Sequence, residues 1–209
     1  MSDAKSPLID LIPLAARVLR LPFAAAPPPS DYPVVRAVQR HWEDLRAGRT
    51  APSRAELDPR PMADCLDMVF VAELVAPGVA RLRLAGQHLN ELLGMEARGM
   101  PLSVLFTGAG RDELGSALLQ VQQGARVVLP LRSDRSLGQP VIDGLLALMP
   151  LTDHKGAITR ILGVIETIGV IGRAPRRFRT LAAPRELTEM PPTPRGQKPA
   201  LRVIEGGRG

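Results

Sequence analysis

The stretch from Val79 to Gly99, VARLRLAGQHLNELLGMEARG, most restricts what this chain can fold into. It opens with alternation. Arg81 and Arg83 fall on one side and Leu82 and Leu84 on the other, the period of a half-buried strand. Gly86 breaks the pattern. Leu89, Leu92 and Leu93 then recur at helical spacing, Gly94 stands where a left-handed cap ends a short helix, and Gly99 marks a second bend. A strand that turns at a glycine into a one- or two-turn helix belongs in the middle of a small α+β domain. It is a place where the chain walls a pocket, not one where side chains line up for catalysis.

The flanking segments extend this pattern. Val35, Val38, Trp42 and Leu45 form one apolar stripe, which predicts a helix capped by Ser30 or Asp31, with Pro33 in its first turn and Gly48 at its stop. Pro52, Pro59 and Pro61 keep the next segment a loop with at most a turn of helix. Leu66–Val75 reads as a strand, and Pro77-Gly78 turns it into the strand of the opening stretch. Leu102–Phe106 is short and helical or irregular. A longer helix over 110–124 carries Leu114, Leu118 and Val121. Three strands follow: Arg126–Arg132, then Val141–Leu151, apolar on both faces, then Ile158–Ile171, whose Val164, Ile165 and Ile168 suit a central position. Asp153 to Gly156 makes the last hairpin turn. Two strands, then helices, then three strands predict an antiparallel sheet with helices gathered on one face.

Composition settles what surrounds this body. In 209 residues, 45% are apolar and 3% aromatic, so the core must be aliphatic. The one cysteine, Cys65, excludes an internal disulfide and fits a reducing cytoplasm. No apolar run reaches the roughly 18 residues of a spanning helix. The net charge of +6 resides in residues 173–209, and the rest is balanced. Three parts follow. Residues 1–33 are an amphipathic segment (Leu8 to Leu21) and a proline-rich linker, residues 34–172 the domain, and residues 173–209 a basic tail that reads as disorder.

Specific residues sharpen the picture. Trp42, LRAGRTAPSRAELDP (Leu45–Pro59), LRLAG (Leu82–Gly86) and LLGMEARG (Leu92–Gly99) together resemble a PAS domain. More narrowly, they resemble the alphaproteobacterial single-domain PAS family once described as a domain of unknown function. The similarity runs from about Val34 to Gly172. It implies a five-stranded antiparallel sheet in spatial order 2-1-5-4-3, helices forming one wall of a pocket, a preceding N-terminal helix, a cytoplasmic regulatory role and no catalytic residues. It also implies homodimer formation through the N-terminal helix, and partners such as a sensor kinase or a response regulator. The segments name no cofactor. Haem is disfavoured because the helix Arg111–Gln123 has no histidine. A flavin adduct is disfavoured because Cys65 precedes the first strand and lacks the Asn-Cys-Arg motif of light-sensing relatives.

The candidate pocket or interaction residues are Trp42, Arg54, Asp58, Arg83, Gly86, Gln87, His88, Gly94 and Gly99. Arg54, Asp58 and Arg83 are read as an ion-pair set pinning the N-terminal loop to the sheet. Gln87 and His88 are read as facing the pocket or starting the short helix. His41, His88 and His154 lie too far apart for a zinc site, so no metal is expected. Asp143 and Glu166 fall on neighbouring strands without a nucleophile beside them, and no catalytic set is readable. The basic tail offers contact with nucleic acid, as an alternative regulatory role, or with an anionic membrane surface.

Overall fold

The computed structural model describes residues 31–181. The amphipathic segment from Leu8 to Leu21, the linker up to residue 30 and the basic residues beyond 181 lie outside the described residues. Helix α1 spans Pro33–Arg46, and two 3-10 segments follow at Arg54–Glu56 and Arg60–Met68. Strands β1 (Val69–Ala76) and β2 (Val79–Ala85) form the first hairpin. Then come α2 (Gln87–Leu93), a 3-10 turn at Leu102–Leu105 and α3 (Gly108–Gln122). Strands β3 (Val127–Ser133), β4 (Asp143–Thr152), β5 (Ile158–Ile168) and β6 (Phe178–Thr180) complete one sheet of six strands. Its order is β2-β1-β5-β4-β3-β6, with every pair antiparallel.

The expected 2-1-5-4-3 order is there, with a sixth strand added beyond β3. That strand lies in the stretch assigned to the disordered tail. Phe178 is fully buried, and its carbonyl accepts the Thr107 N–H at 2.9 Å. Arg176 is also buried, its guanidinium donating to the carbonyls of Ile171 and Pro140 and to the Ser133 hydroxyl. Burial pulls its pKa down from the ordinary arginine value. A three-residue strand in a run of proline and arginine has no period to read. The lone aromatic of the tail, Phe178, was its signal.

The helices between β2 and β3 gather on one face as expected, and the preceding helix α1 covers the other. Leu89, Leu92 and Leu93 of α2 and Leu114, Leu118 and Val121 of α3 pack with Phe70, Leu146, Leu148 and Ile165 on the inner face. On the outer face, Val35, Val38 and Trp42 of α1 and Met62 of the second 3-10 segment pack with Leu145, Met149, Leu162 and Val164. Residues alternate between the two layers along β4 and β5, so a strand apolar on both faces must be covered on both.

Helix α1 is capped in an unexpected way. Its N-cap residue is Tyr32, which contributes no side-chain bond, and its first turn holds no acid. Glu166 of β5 supplies the acceptor instead: its Oε2 takes the Val35 N–H at 2.9 Å. Towards the other end, Trp42 Nε1 donates to the Pro150 carbonyl of β4 at 2.9 Å. The first strand also starts later than its composition suggests, because Leu66–Met68 closes the 3-10 segment Arg60–Met68.

Three outcomes are expected. Burial raises the Glu166 carboxyl above its ordinary value of 4.5. The native state therefore holds that proton more tightly than the unfolded chain. This contribution to stability is fully present below the unfolded pKa and is lost as pH rises through the folded one. Glu166→Gln keeps an acceptor without the charge, so urea midpoints should move in its favour relative to the wild type as pH rises above about 4.5. Glu166→Ala should cost about 0.5–2 kcal/mol as a lost cap. Phe178→Ala should cost about 3–5 kcal/mol in the same urea titrations, whereas a disordered tail would give no change.

Candidate functional site

The inner face, where a pocket was expected, is filled by the protein's own side chains. Leu89, Leu92, Leu102, Leu105, Leu114 and Leu118 are each at most 1% exposed. Gly163 of β5 leaves room for the ring of Phe70, which a Cβ at that position would meet at 2.0 Å. The hollows lined by Arg54 and by α1 lie on the outer face.

Leu84 explains one of them. It was expected beside Leu82, yet Leu82 is fully buried and Leu84 is 51% exposed. Val71 pairs with Leu84 while Ala72 pairs with Leu82, so a register shift inserts Arg83 between them. Such a bulge turns the following side chain to the other face. Leu84 joins Val69 and Val71 of β1, Leu66 and Met62 of the 3-10 segment, and Arg54 around a notch of about 220 Å³. Gly86 belongs to the same wall. A Cβ there would stand 2.2 Å from the Asp67 carbonyl oxygen, so only glycine lets the 3-10 segment lie this close.

The ion-pair set does not form as expected. Asp58 bonds Arg60, accepting its backbone N–H at 3.0 Å and its guanidinium at 3.1 Å, and these hold its carboxyl below the ordinary value. Arg83 pairs with Glu73 of β1, which also receives Arg160 of β5. Hydrogen bonds first from Arg160 and then from Arg83 keep the Glu73 carboxyl low. Arg54 has no ion-pair partner among the described residues. It lines both the apolar notch and a polar trough of about 490 Å³ formed with Ser53, Glu73, His154, Thr159 and Arg160.

The remaining candidates are structural in their contacts. Trp42 is the buried anchor of α1, with the Arg46 guanidinium 5.7 Å from its ring centre. Gln87 is exposed at the start of α2, its carbonyl 3.5 Å from Asn90 Nδ2, and so it does not face an interior pocket. His88 Nε2 lies 3.0 Å from Thr167 Oγ1, and burial lowers its pKa from the ordinary value. Gly94 caps α2 with φ of 71°. Gly99, at φ of 83°, donates to the Leu82 carbonyl at 2.8 Å, which covers the free edge of β2. Sequence reasoning missed Asn90. Its Oδ1 accepts the Ala97 N–H at 2.9 Å, and its carbonyl accepts from Gly94 and Met95.

Asp143 and Glu166 take separate partners. Asp143 receives the Arg132 guanidinium at 2.6 Å, while Glu166 is given to α1. Among the described residues no three His, Cys, Asp or Glu side chains group as metal ligands. Cys65 is half-buried, and burial raises its thiol pKa, so the reactive thiolate is disfavoured. Two cations counted in the basic tail are held by the fold, Arg176 by oxygens of the body and Arg179 by Asp134 at 3.4 Å. A third hollow, of about 430 Å³, lies along α1 between Arg36, Gln39, Arg40, Glu43 and Arg126. No helix among the described residues is long and apolar enough to cross a membrane.

Comparison with known proteins adds to this geometry. The light-state structure of the blue-light photoreceptor Aureochrome1 LOV is similar over 53% of this chain and 88% of that chain, at 16% identity and a TM-score of 0.39. Comparison with curated proteins finds no match. A family model described as PAS domain matches residues 31–166, close to the span of α1 and the first five strands. With this match and its β-β-α-α-β-β-β order, the chain belongs to the PAS domain family.

Proposed function

We propose that this protein is a non-enzymatic signalling domain that acts by contact with another protein, a sensor kinase or a response regulator. The family supports a sensory signalling role in general terms. The observation that carries the contact reading is an apolar surface at one end of the sheet. Leu137, at the tip between β3 and β4, is 92% exposed, and Val170, just past β5, is 74% exposed. Val141 and Ile168, at 39% and 41%, lie at the same end, where Asp143 pairs with Ile168. Exposed aliphatic groups clustered on the loops at one end of a sheet are what a partner surface covers. The inner core supports the same reading, since it is occupied by leucines rather than by open space. A second copy meeting α1 would find its polar side, Arg36, Gln39 and Arg40, because the apolar stripe is spent on the sheet.

The double variant Leu137→Asp/Val170→Asp tests this. Its urea midpoint should match the wild type, since both side chains already face water. Its affinity for the cognate kinase or regulator, measured by surface biosensor, should fall at least about tenfold, the scale of a lost apolar anchor. Undiminished affinity, or a wild type that binds neither class of protein, would remove the reading.

A further inference from the structure

The notch beside β2 combines two features that a merely structural crevice does not need. It shows water two large aliphatic side chains, Leu84 at 51% and Leu66 at 40% exposure, above the apolar floor of Val69, Val71 and Met62. At its rim stands Arg54, whose guanidinium has no ion-pair partner among the described residues. The acids that line the trough with it are already engaged. Glu73 holds Arg83 and Arg160, and Asp153 accepts the backbone N–H groups of Lys155 and Ala157. An exposed apolar slot with an uncommitted cation at its mouth is complementary to a molecule with an alkyl body and one anionic end.

Volume limits the length of that body. The notch holds about 220 Å³, room for about seven groups of the roughly 30 Å³ that a water molecule occupies, which is also near the size of a methylene. Pockets that hold drug-sized ligands measure about 300–1,000 Å³, so a fused-ring cofactor does not fit. We infer that the notch is a binding site for a medium-length aliphatic carboxylate. Its chain would lie between Leu66 and Leu84, and its carboxylate would meet Arg54 where the notch opens into the polar trough. The site is on the outer face, away from the leucine core of α2 and α3. It stands independently of any protein partner.

Titrating the full-length, nitrogen-15-labelled protein with sodium octanoate, followed by amide chemical shifts, tests the assignment. Octanoate should give saturable shifts at Leu66, Val71, Leu84 and Gly86, while butyrate, too short to fill the notch, gives none there. Arg54→Gln should weaken octanoate about tenfold, the scale of one charge-assisted bond, and leave the uncharged analogue 1-octanol unaffected. Leu84→Asp should abolish both; Leu84→Ser replaces it should the urea midpoint of Leu84→Asp fall. Octanoate affinity unchanged in Arg54→Gln would overturn the inference. So would shifts confined to α2 and α3, or no saturable shift at all.

Discussion

A helix begins with N–H groups that its own backbone cannot satisfy, and α1 meets this need with a carboxylate from the middle of the sheet. Glu166 lies 131 residues from Val35 in sequence, yet its Oε2 caps the helix. The bond joins the first helix to a central strand, so neither reaches its final state alone. Trp42 repeats the link near the other end through the Pro150 carbonyl. Between these two points Val35 and Val38 seal the outer face. Tyr32 closes the same corner. Its hydroxyl is pushed up to about 12, foremost by burial and then by Asp143, Asp31 and Glu166, and so stays neutral. With α1 fixed there, β4 and β5 can be aliphatic on both sides without exposing either.

The parts legible in the sequence were those with a local period. The β1–β2 hairpin, the glycine-capped α2, the stripe of α3 and the turn at Asp153 could be read because each repeats or breaks within a few residues. What failed depended on partners far along the chain. Leu84 obeys the alternation of its own strand and is still on the other face, because the bulge is a property of the β1–β2 pair. Arg54 and Asp58 are four apart, which would pair them on an α-helix. Their segment is a 3-10 turn that ends at Leu57 in extended backbone, so Asp58 meets Arg60 instead. The element order placed α2 and α3 on one face correctly, while the covering of the other face by α1 was in view only in the apolar run of β4.

Gly86 ties these observations together. Its role is close approach rather than an unusual dihedral, since its φ is −69°. Without a Cβ it lets the carbonyls of Leu66 and Asp67 lie against the end of β2, and its N–H bonds the Val69 carbonyl at 2.9 Å. The 3-10 segment is thereby held over the outer face where α1 does not reach. It is too short to cover what the bulge turns outward, and Leu84 stays exposed beside it. Among the described residues the inner face is filled by leucines of α2 and α3, down to the Phe70 ring over Gly163. The open, chemically uneven surface therefore lies on the side built from α1, the 3-10 segment and β2. There a bulge, a glycine and an uncommitted arginine meet for reasons of sheet geometry, and there a small molecule would act on the segment between α1 and β1.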